Sequence, residues 1–143
     1  MKYRNLGHGL KLSAIGGGCI PMIKGGNILY GEAADPDEAI KTIHRAIDLG
    51  ITFFDTAQIY GPFQNEELVG EAIKGKRDGL VIATKFGFRF DGKQIVGVDG
   101  SAANARESVE GCLKRLGIDC IDLFYQHRVD PNVPIEETVG AMA

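Results

Sequence analysis

Three reactive side chains come directly after short apolar runs in this sequence. Asp55, Lys85 and His127 each follow a run rich in β-branched or aromatic residues. Such runs are typical of buried β-strands. In folds that alternate strands and helices, the carboxyl ends of the strands open onto one face, where ligands bind. We therefore predict that these three side chains lie together at a functional site.

Tyr60 adds a proton donor to this set, in the loop TAQIYG that follows Asp55. An ammonium group beside a phenol favours the phenolate and lowers the pKa of the phenol. Asp55 would hold Lys85 charged and in place. A phenol in that setting can donate a proton to a substrate oxygen near neutral pH, and His127 can orient the same oxygen through a hydrogen bond. The residue types therefore predict acid catalysis on a substrate oxygen.

Strand-like and helix-like segments alternate along the chain and must position these residues. A small hairpin is predicted first, with strands over Lys2–Leu6 and Leu10–Leu12. The strands predicted after it are Ser13–Cys19, Ile51–Asp55, Leu80–Lys85 and Cys120–Gln126. The first predicted helix begins at Pro36 and ends at Gly50. Further helices are predicted over Asn65–Lys74 and Ser101–Leu116, and a fourth begins at Pro134 and continues to Ala143. Residues 20–34 are predicted to form a loop.

Two of these helices carry N-terminal signals. Asp35 can cap the first helix, with Pro36 in the first helical position and Glu38 three residues after the cap. Asn65 is predicted to cap the second helix, and the acidic residues that follow it favour a helix N-terminus.

The strand–helix alternation predicts a parallel sheet with helical crossovers. The strands are short continuous apolar runs, as expected when both faces of the sheet are covered. Two architectures fit this order, a doubly wound open sheet and part of a (β/α)8 barrel. No linker divides the chain, so residues 1–143 are predicted to form one domain.

Composition excludes several classes of protein. The 143 residues carry a formal net charge of −3, which argues against a nucleic-acid partner. The sequence has no apolar run long enough for a membrane span and no apolar leader, while its three cysteines lack a CxxC pair. Together these features predict a cytoplasmic protein with free, buried thiols, Cys19 being the one thiol that could face a ligand. His8 and His44 lack metal-ligand spacing, so no metal site is predicted.

Three sequence blocks resemble the signature regions of the aldo-keto reductases. These blocks are FFDTAQIYG, IATKFG and DLFYQHRVD, and GGGCIPM after LKLS is similar to the first strand and entry loop of that family. The resemblance follows the whole chain in order. It is strongest to the longer-chain reductases of plants and bacteria.

The resemblance implies a (β/α)8 TIM barrel that reduces aldehydes or ketones with NADPH. Asp55, Tyr60, Lys85 and His127 match the catalytic tetrad of the family, with Tyr60 as the general acid. Gly18, Cys19 and Ile20, together with Asp55, match the segment that borders the nicotinamide and the substrate.

Length sets this sequence apart from the family pattern, because such a barrel takes about 250 residues. The chain is expected to be a truncated N-terminal half with about four of the eight β/α units. Most of the family's NADPH site lies in the second half, so little activity is expected from this chain alone. Its open sheet edges invite self-association. Two alternatives stay open, a non-catalytic fragment or interaction module and an aldolase-type enzyme that forms a Schiff base on Lys85.

Overall fold

The computed structural model describes residues 1–23 and 35–143 and contains eight strands and four helices in these ranges. The strands are β1 (Tyr3–Asn5), β2 (Lys11–Ser13), β3 (Gly17–Gly18), β4 (Phe53–Asp55), β5 (Val81–Phe86), β6 (Phe88–Asp91), β7 (Gln94–Val98) and β8 (Leu123–Gln126). The helices are α1 (Pro36–Asp48), α2 (Gln64–Ile73), α3 (Ala102–Leu116) and α4 (Ile135–Met142). From residue 24 to residue 34, the predicted loop lies outside the described residues.

The central sheet has four parallel strands in the order β3-β4-β5-β8. Spatial order follows chain order, and neighbouring helices pack against one another in the sequence α1, α2, α3, α4. A doubly wound sheet reverses its strand order at a switch point. The sheet has no such reversal among the described strands, so the barrel-type alternative is confirmed, as an open half and not as a closed barrel.

Local signals explain where the helices begin and end. The Asp35 side chain accepts a hydrogen bond from the backbone N–H of Asp37 at 2.8 Å, and Pro36 begins α1 as predicted. Ser101 caps α3 by accepting from the N–H of Asn104 at 3.2 Å. Gly117 ends α3 with a φ of 65°, a left-handed conformation that glycine adopts without steric cost.

The core lies between the sheet and the helices. Phe54 and Ile82 project from β4 and β5 into this layer and are almost completely buried. The apolar side chains that meet them come from α1, α2 and α3: Ala39, Ile43, Leu68, Val69, Ala72, Ile73 and Leu116. This packing fixes the positions of β4 and β5, which carry Asp55 and Lys85.

Two hairpins flank the sheet. The antiparallel pair β1–β2 confirms the predicted N-terminal hairpin. The second pair, β6–β7, follows β5 directly and was not expected from the sequence. Its two-residue turn contains Gly92 with a φ of 58°, the left-handed conformation that tight hairpin turns require.

Three predictions about individual residues were wrong. Asn65 does not cap α2: the cap position is occupied by Phe63, which makes no capping hydrogen bond, and the side chain of Asn65 is used elsewhere. Cys120 is exposed, whereas Cys19 and Cys112 are buried as expected. The strand β8 is only partly covered, and Tyr125 in it is exposed, although all strands were expected to be buried on both faces.

No helix in residues 1–23 or 35–143 has both the length and the apolar character needed to cross a membrane.

Candidate active site

The ammonium group of Lys85 is the centre of the candidate site. Its Nζ donates a hydrogen bond to the carboxylate of Asp55 and a second one to the backbone carbonyl of Thr56 at 2.9 Å. The phenolic oxygen of Tyr60 lies 3.4 Å from the same Nζ. Asp55 is the last residue of β4 and Lys85 lies near the end of β5, so parallel pairing brings the two side chains together.

His127 completes the cluster from the third strand end. Its ring centroid lies 6.0 Å from that of Tyr60 in an edge-on arrangement. It also lies 5.4 Å from the ring centroid of Phe88, on the β6–β7 hairpin. The buried Nδ1 atom of His127 has no hydrogen-bond partner among the described residues. An unpartnered buried polar atom is uncommon in folded proteins.

The structure therefore brings all four predicted catalytic residues together. The carboxylate beside Lys85 favours the charged ammonium form of this side chain, which cannot act as an amine nucleophile. The Schiff-base alternative requires a neutral Lys85, and these contacts argue against it.

The predicted cofactor segment lies beside the same carboxylate. Gly18 pairs with Asp55 across the parallel register of β3 and β4, and the N–H of Cys19 donates to the Asp55 carbonyl at 2.9 Å. Gly18 is exposed, and Ile20 is half-buried. The Cys19 side chain points into the core instead, and burial raises the pKa of this thiol to about 12, with a smaller contribution from the charge of Asp55. Only its backbone can therefore face a ligand.

The sequence that carries this cluster matches a known protein family over most of its length. Residues 21–143 match the Aldo/keto reductase family. This chain belongs to the aldo-keto reductases. The parallel four-strand fold agrees with that membership.

Individual relatives cover the chain almost completely. The "probable aldo-keto reductase 1" of Glycine max is 44% identical over 135 residues, which is 94% of this chain and 38% of that protein. The holo form of an aldo-keto reductase from Bacillus halodurans superposes with a TM-score of 0.86 at 37% identity, covering 99% of this chain and 45% of the other. A glycerol dehydrogenase from Gluconobacter oxydans has a TM-score of 0.79 at 32% identity, covering 98% and 43%. This chain thus spans less than half the length of these relatives.

Sequence reasoning missed a polar clip behind the candidate site, formed by Asn65 and Thr56. The buried Asn65 amide donates to the backbone carbonyls of Cys19 and Met22, each at 2.7 Å, and its oxygen accepts from the Thr56 hydroxyl. Because the Thr56 carbonyl accepts a hydrogen bond from Lys85, this clip links the predicted cofactor segment to the Lys85 ammonium. The signal that could have indicated this cluster was a polar residue, Asn65, on the buried face of the first turn of α2.

A second missed feature is a buried ion pair. The fully buried Glu66 carboxylate accepts from the Thr84 hydroxyl and from the Arg115 Nε, both at 2.6 Å. Thr84 precedes Lys85 in β5, so the pair ties β5 to α2 and α3. A lone threonine inside the apolar run LVIATK was the signal for it.

We expect His127 to be neutral at pH 7. Burial lowers its pKa, and the positive charges of Lys85 and Arg128 lower it further, against a smaller opposing effect of Asp55. Replacing Lys85 with methionine should raise the pKa of His127, because a cation is removed and Asp55 loses its partner. NMR titration of the imidazole ε1 protons measures the change, with His127→Gln used to assign the signal.

Lys74→Met is the matched control, since Lys74 lies at the far end of α2 from the site. This variant should leave the His127 titration as it is in the unsubstituted chain. An unchanged or lowered His127 pKa in Lys85→Met would contradict the site geometry. The lowered pKa of His127 also predicts how stability depends on pH. Because the unfolded chain binds this proton more readily, the free energy of unfolding should fall as pH drops below the ordinary histidine pKa and through the folded-state value.

Proposed function

We propose that this chain supplies the proton-transfer groups for NADPH-dependent reduction of aldehydes and ketones to alcohols. The observation that carries the proposal is the Lys85 ammonium, which contacts Asp55 and lies 3.4 Å from the Tyr60 hydroxyl. A phenol beside a fixed ammonium can give up a proton because the phenolate left behind is stabilised. Membership of the aldo-keto reductases supports an oxidoreductase reaction of this kind.

Tyr60 acts as the general acid in this proposal. Its Oη proton goes to the carbonyl oxygen of the substrate, and the negative charge that remains on Tyr60 is stabilised by Lys85. The Asp55 carboxylate and the Thr56 carbonyl aim the ammonium at that oxygen, so that little reorganisation is needed as the proton leaves. The new O–H bond of the alcohol therefore comes from Tyr60.

His127 orients the carbonyl in the same proposal. Its lowered pKa keeps the ring neutral at pH 7, so it has one N–H donor for the substrate oxygen and adds no second cation beside Lys85. Phe88 packs edge-on against this ring and restricts its movement. The substrate oxygen would then be held between the Tyr60 hydroxyl and the imidazole.

The residues beside Asp55 fit a nicotinamide ring. A Cβ built on Gly18 meets no atom of residues 1–23 or 35–143 within 4 Å, so these residues leave open space next to the carboxyl end of β3. Gly18 and Ile20, with the Cys19 backbone and Asp55, would border the ring there. When bound, NADPH supplies the hydride that forms the new C–H bond at the carbonyl carbon, a transfer that side chains cannot perform.

The setting of the reaction is part of the same proposal. All three cysteines are free thiols, which fits the reducing cytoplasm. A net charge of −3 fits a small carbonyl substrate better than a nucleic-acid partner. Because the chain covers 45% of the Bacillus halodurans reductase, we propose that residues 1–143 alone oxidise NADPH with an aldehyde no faster than background.

A hybrid barrel tests both parts of the proposal. Residues 1–143 would be joined to the C-terminal half of the Bacillus halodurans reductase, and NADPH oxidation with a simple aldehyde would be followed by absorbance. We expect turnover by the hybrid and background rates from residues 1–143 alone. Circular dichroism and quenching of NADPH fluorescence report separately whether the hybrid folds and binds the cofactor. A folded hybrid that binds NADPH without turning over would contradict the proposed reaction.

A further inference from the structure

The buried side chain of Asn65 has both amide protons and its oxygen engaged in hydrogen bonds. Its Nδ2 donates to the backbone carbonyls of Cys19 and Met22, and its Oδ1 accepts from the Thr56 hydroxyl. The two carbonyls can only accept, so they fix which end of the amide is the nitrogen. The Thr56 hydroxyl must then donate to the oxygen. Because each broken bond would leave a buried polar atom unsatisfied, Asn65 holds its partners in one arrangement.

Thr56 is held from two elements, and its carbonyl in turn holds Lys85. The backbone N–H of Thr56 donates to the carbonyl of Ala83 in β5 at 2.9 Å, while its hydroxyl is bound to Asn65 in α2. The Thr56 carbonyl accepts from the Lys85 Nζ at 2.9 Å. The hydroxyl bond therefore limits the rotation of Thr56 and, through its carbonyl, the position of the ammonium.

The same amide anchors the turn over residues 19–22. The N–H of Cys19 donates to the Asp55 carbonyl and the N–H of Met22 donates to the Cys19 carbonyl, each at 2.9 Å. Asn65 binds the carbonyls at both ends of this turn. One side chain therefore fixes the turn and the Thr56 peptide relative to each other.

We propose that Asn65 and Thr56 are positioning residues for proton transfer, because they hold the Lys85 ammonium beside the Tyr60 hydroxyl. The inference rests on the proposed function, in which Tyr60 gives up its proton next to that ammonium. The Lys85 Nζ lies 3.4 Å from the Tyr60 oxygen, already beyond the roughly 3.2 Å limit of a typical hydrogen bond. A small displacement of Lys85 therefore ends its contact with Tyr60.

Thr56→Val in the hybrid barrel tests the inference, because valine keeps the shape of threonine and removes only the hydroxyl bond. A misplacement of about 1 Å can cost about 10²-fold in rate, so kcat should fall at least about tenfold. The alkaline limb of the kcat pH profile should move up by about one pH unit, since a displaced ammonium favours loss of the Tyr60 proton less. NADPH binding should change little, because both Asn65 bonds to the turn remain.

Two further threonine variants separate positioning from stability. Thr56→Ser keeps the hydroxyl and should restore both kcat and the pH profile. Thr52→Val is the matched control, because the Thr52 hydroxyl accepts from the N–H of Ser13 at 2.9 Å at the other end of β4. Its loss should lower the free energy of unfolding and leave the pH profile in place. A purely structural role of Thr56 would give the same pattern as Thr52→Val.

Asn65→Asp tests the second arm of the amide. The substitution keeps the size of the side chain but turns an oxygen toward the carbonyls of Cys19 and Met22, which lose their donor. Leaving buried acceptors unsatisfied should weaken NADPH binding about tenfold or more, in addition to lowering kcat. Quenching of NADPH fluorescence measures the binding, and circular dichroism verifies folding. If Asn65→Asp does not fold, the Thr56 variants decide the inference.

Acylation of Lys85 reads the position of the ammonium without turnover. An N-hydroxysuccinimide ester is applied to residues 1–143 and to the hybrid, and modified peptides are measured by mass spectrometry. Thr56→Val should raise the acylation rate of Lys85 by about 2- to 10-fold, the range expected for one lost hydrogen bond. An unchanged pH profile in a hybrid that loses kcat through Tyr60→Phe would overturn the inference alone. Full kcat in Tyr60→Phe would contradict the proposed function, and unchanged Lys85 acylation in Thr56→Val would then overturn the inference as well.

Discussion

Replacing Tyr60 with phenylalanine should lower kcat of the hybrid reductase by about 10²- to 10⁴-fold, the range over which positioned proton donors contribute. The substitution removes only the hydroxyl, and Lys85 keeps its contacts with Asp55 and Thr56. The carbonyl oxygen then has to take its proton from water while His127 still orients it. Because the lost interaction is made mainly in the transition state, kcat should fall while KM stays nearly constant. Steady-state NADPH oxidation at several aldehyde concentrations separates the two constants.

Two further variants test whether the loss of kcat comes from the Tyr60 hydroxyl. Tyr3→Phe removes a hydroxyl from the exposed N-terminal hairpin and should leave kcat unchanged. Lys85→Met should lower kcat by an amount similar to Tyr60→Phe, and the double variant should be little worse than either, because the two residues act as one unit. If Tyr60→Phe retained full kcat in a folded hybrid that binds NADPH, Tyr60 would not be the general acid.

Local patterns in the sequence were sufficient to predict the elements that position the site. Helix α1 was predictable from Asp35 and Pro36 because a cap and a first-turn proline act through their own backbone neighbours. The placement of Asp55, Lys85 and His127 at neighbouring strand ends followed from the strand–helix alternation, since parallel strands end on one face. These inferences needed no knowledge of which distant residues come into contact.

Tertiary contacts decided the features that were not predictable. Asn65 has the residue type of a helix cap, yet its amide bonds to carbonyls 43 and 46 residues away in the chain. The two partners of Glu66, Thr84 and Arg115, come from two other parts of the chain, so the sequence offered only a charged residue at a helix start. The β6–β7 hairpin is short and its alternation is broken by an irregularity between Arg89 and Phe90, which hides the period of two.

The ion pair behind the site accounts for the largest expected loss of stability. Arg115→Ala should lower the free energy of unfolding by about 3–5 kcal/mol, the typical effect of removing one partner from a buried pair. The Glu66 carboxylate is inaccessible to solvent and would lose its Arg115 contact at 2.6 Å. The guanidinium also lies 4.5 Å from the Phe63 ring and occupies space left by Gly111, where a Cβ would be 2.8 Å from the Arg115 Nη1. Urea unfolding followed by circular dichroism measures the change.

Two further variants separate the buried charge from the lost packing. Arg106→Ala removes an exposed arginine from the same helix and should cost no more than about 0.5 kcal/mol. The double variant Glu66→Gln with Arg115→Met keeps the side-chain volume without any buried charge, and it should recover most of the stability lost in Arg115→Ala. If the double variant were as unstable as Arg115→Ala, packing of Arg115 against Phe63 would account for the loss instead of charge. Glu66 also accepts from the Thr84 hydroxyl, next to Lys85 in β5, so the ion pair lies directly behind the candidate site.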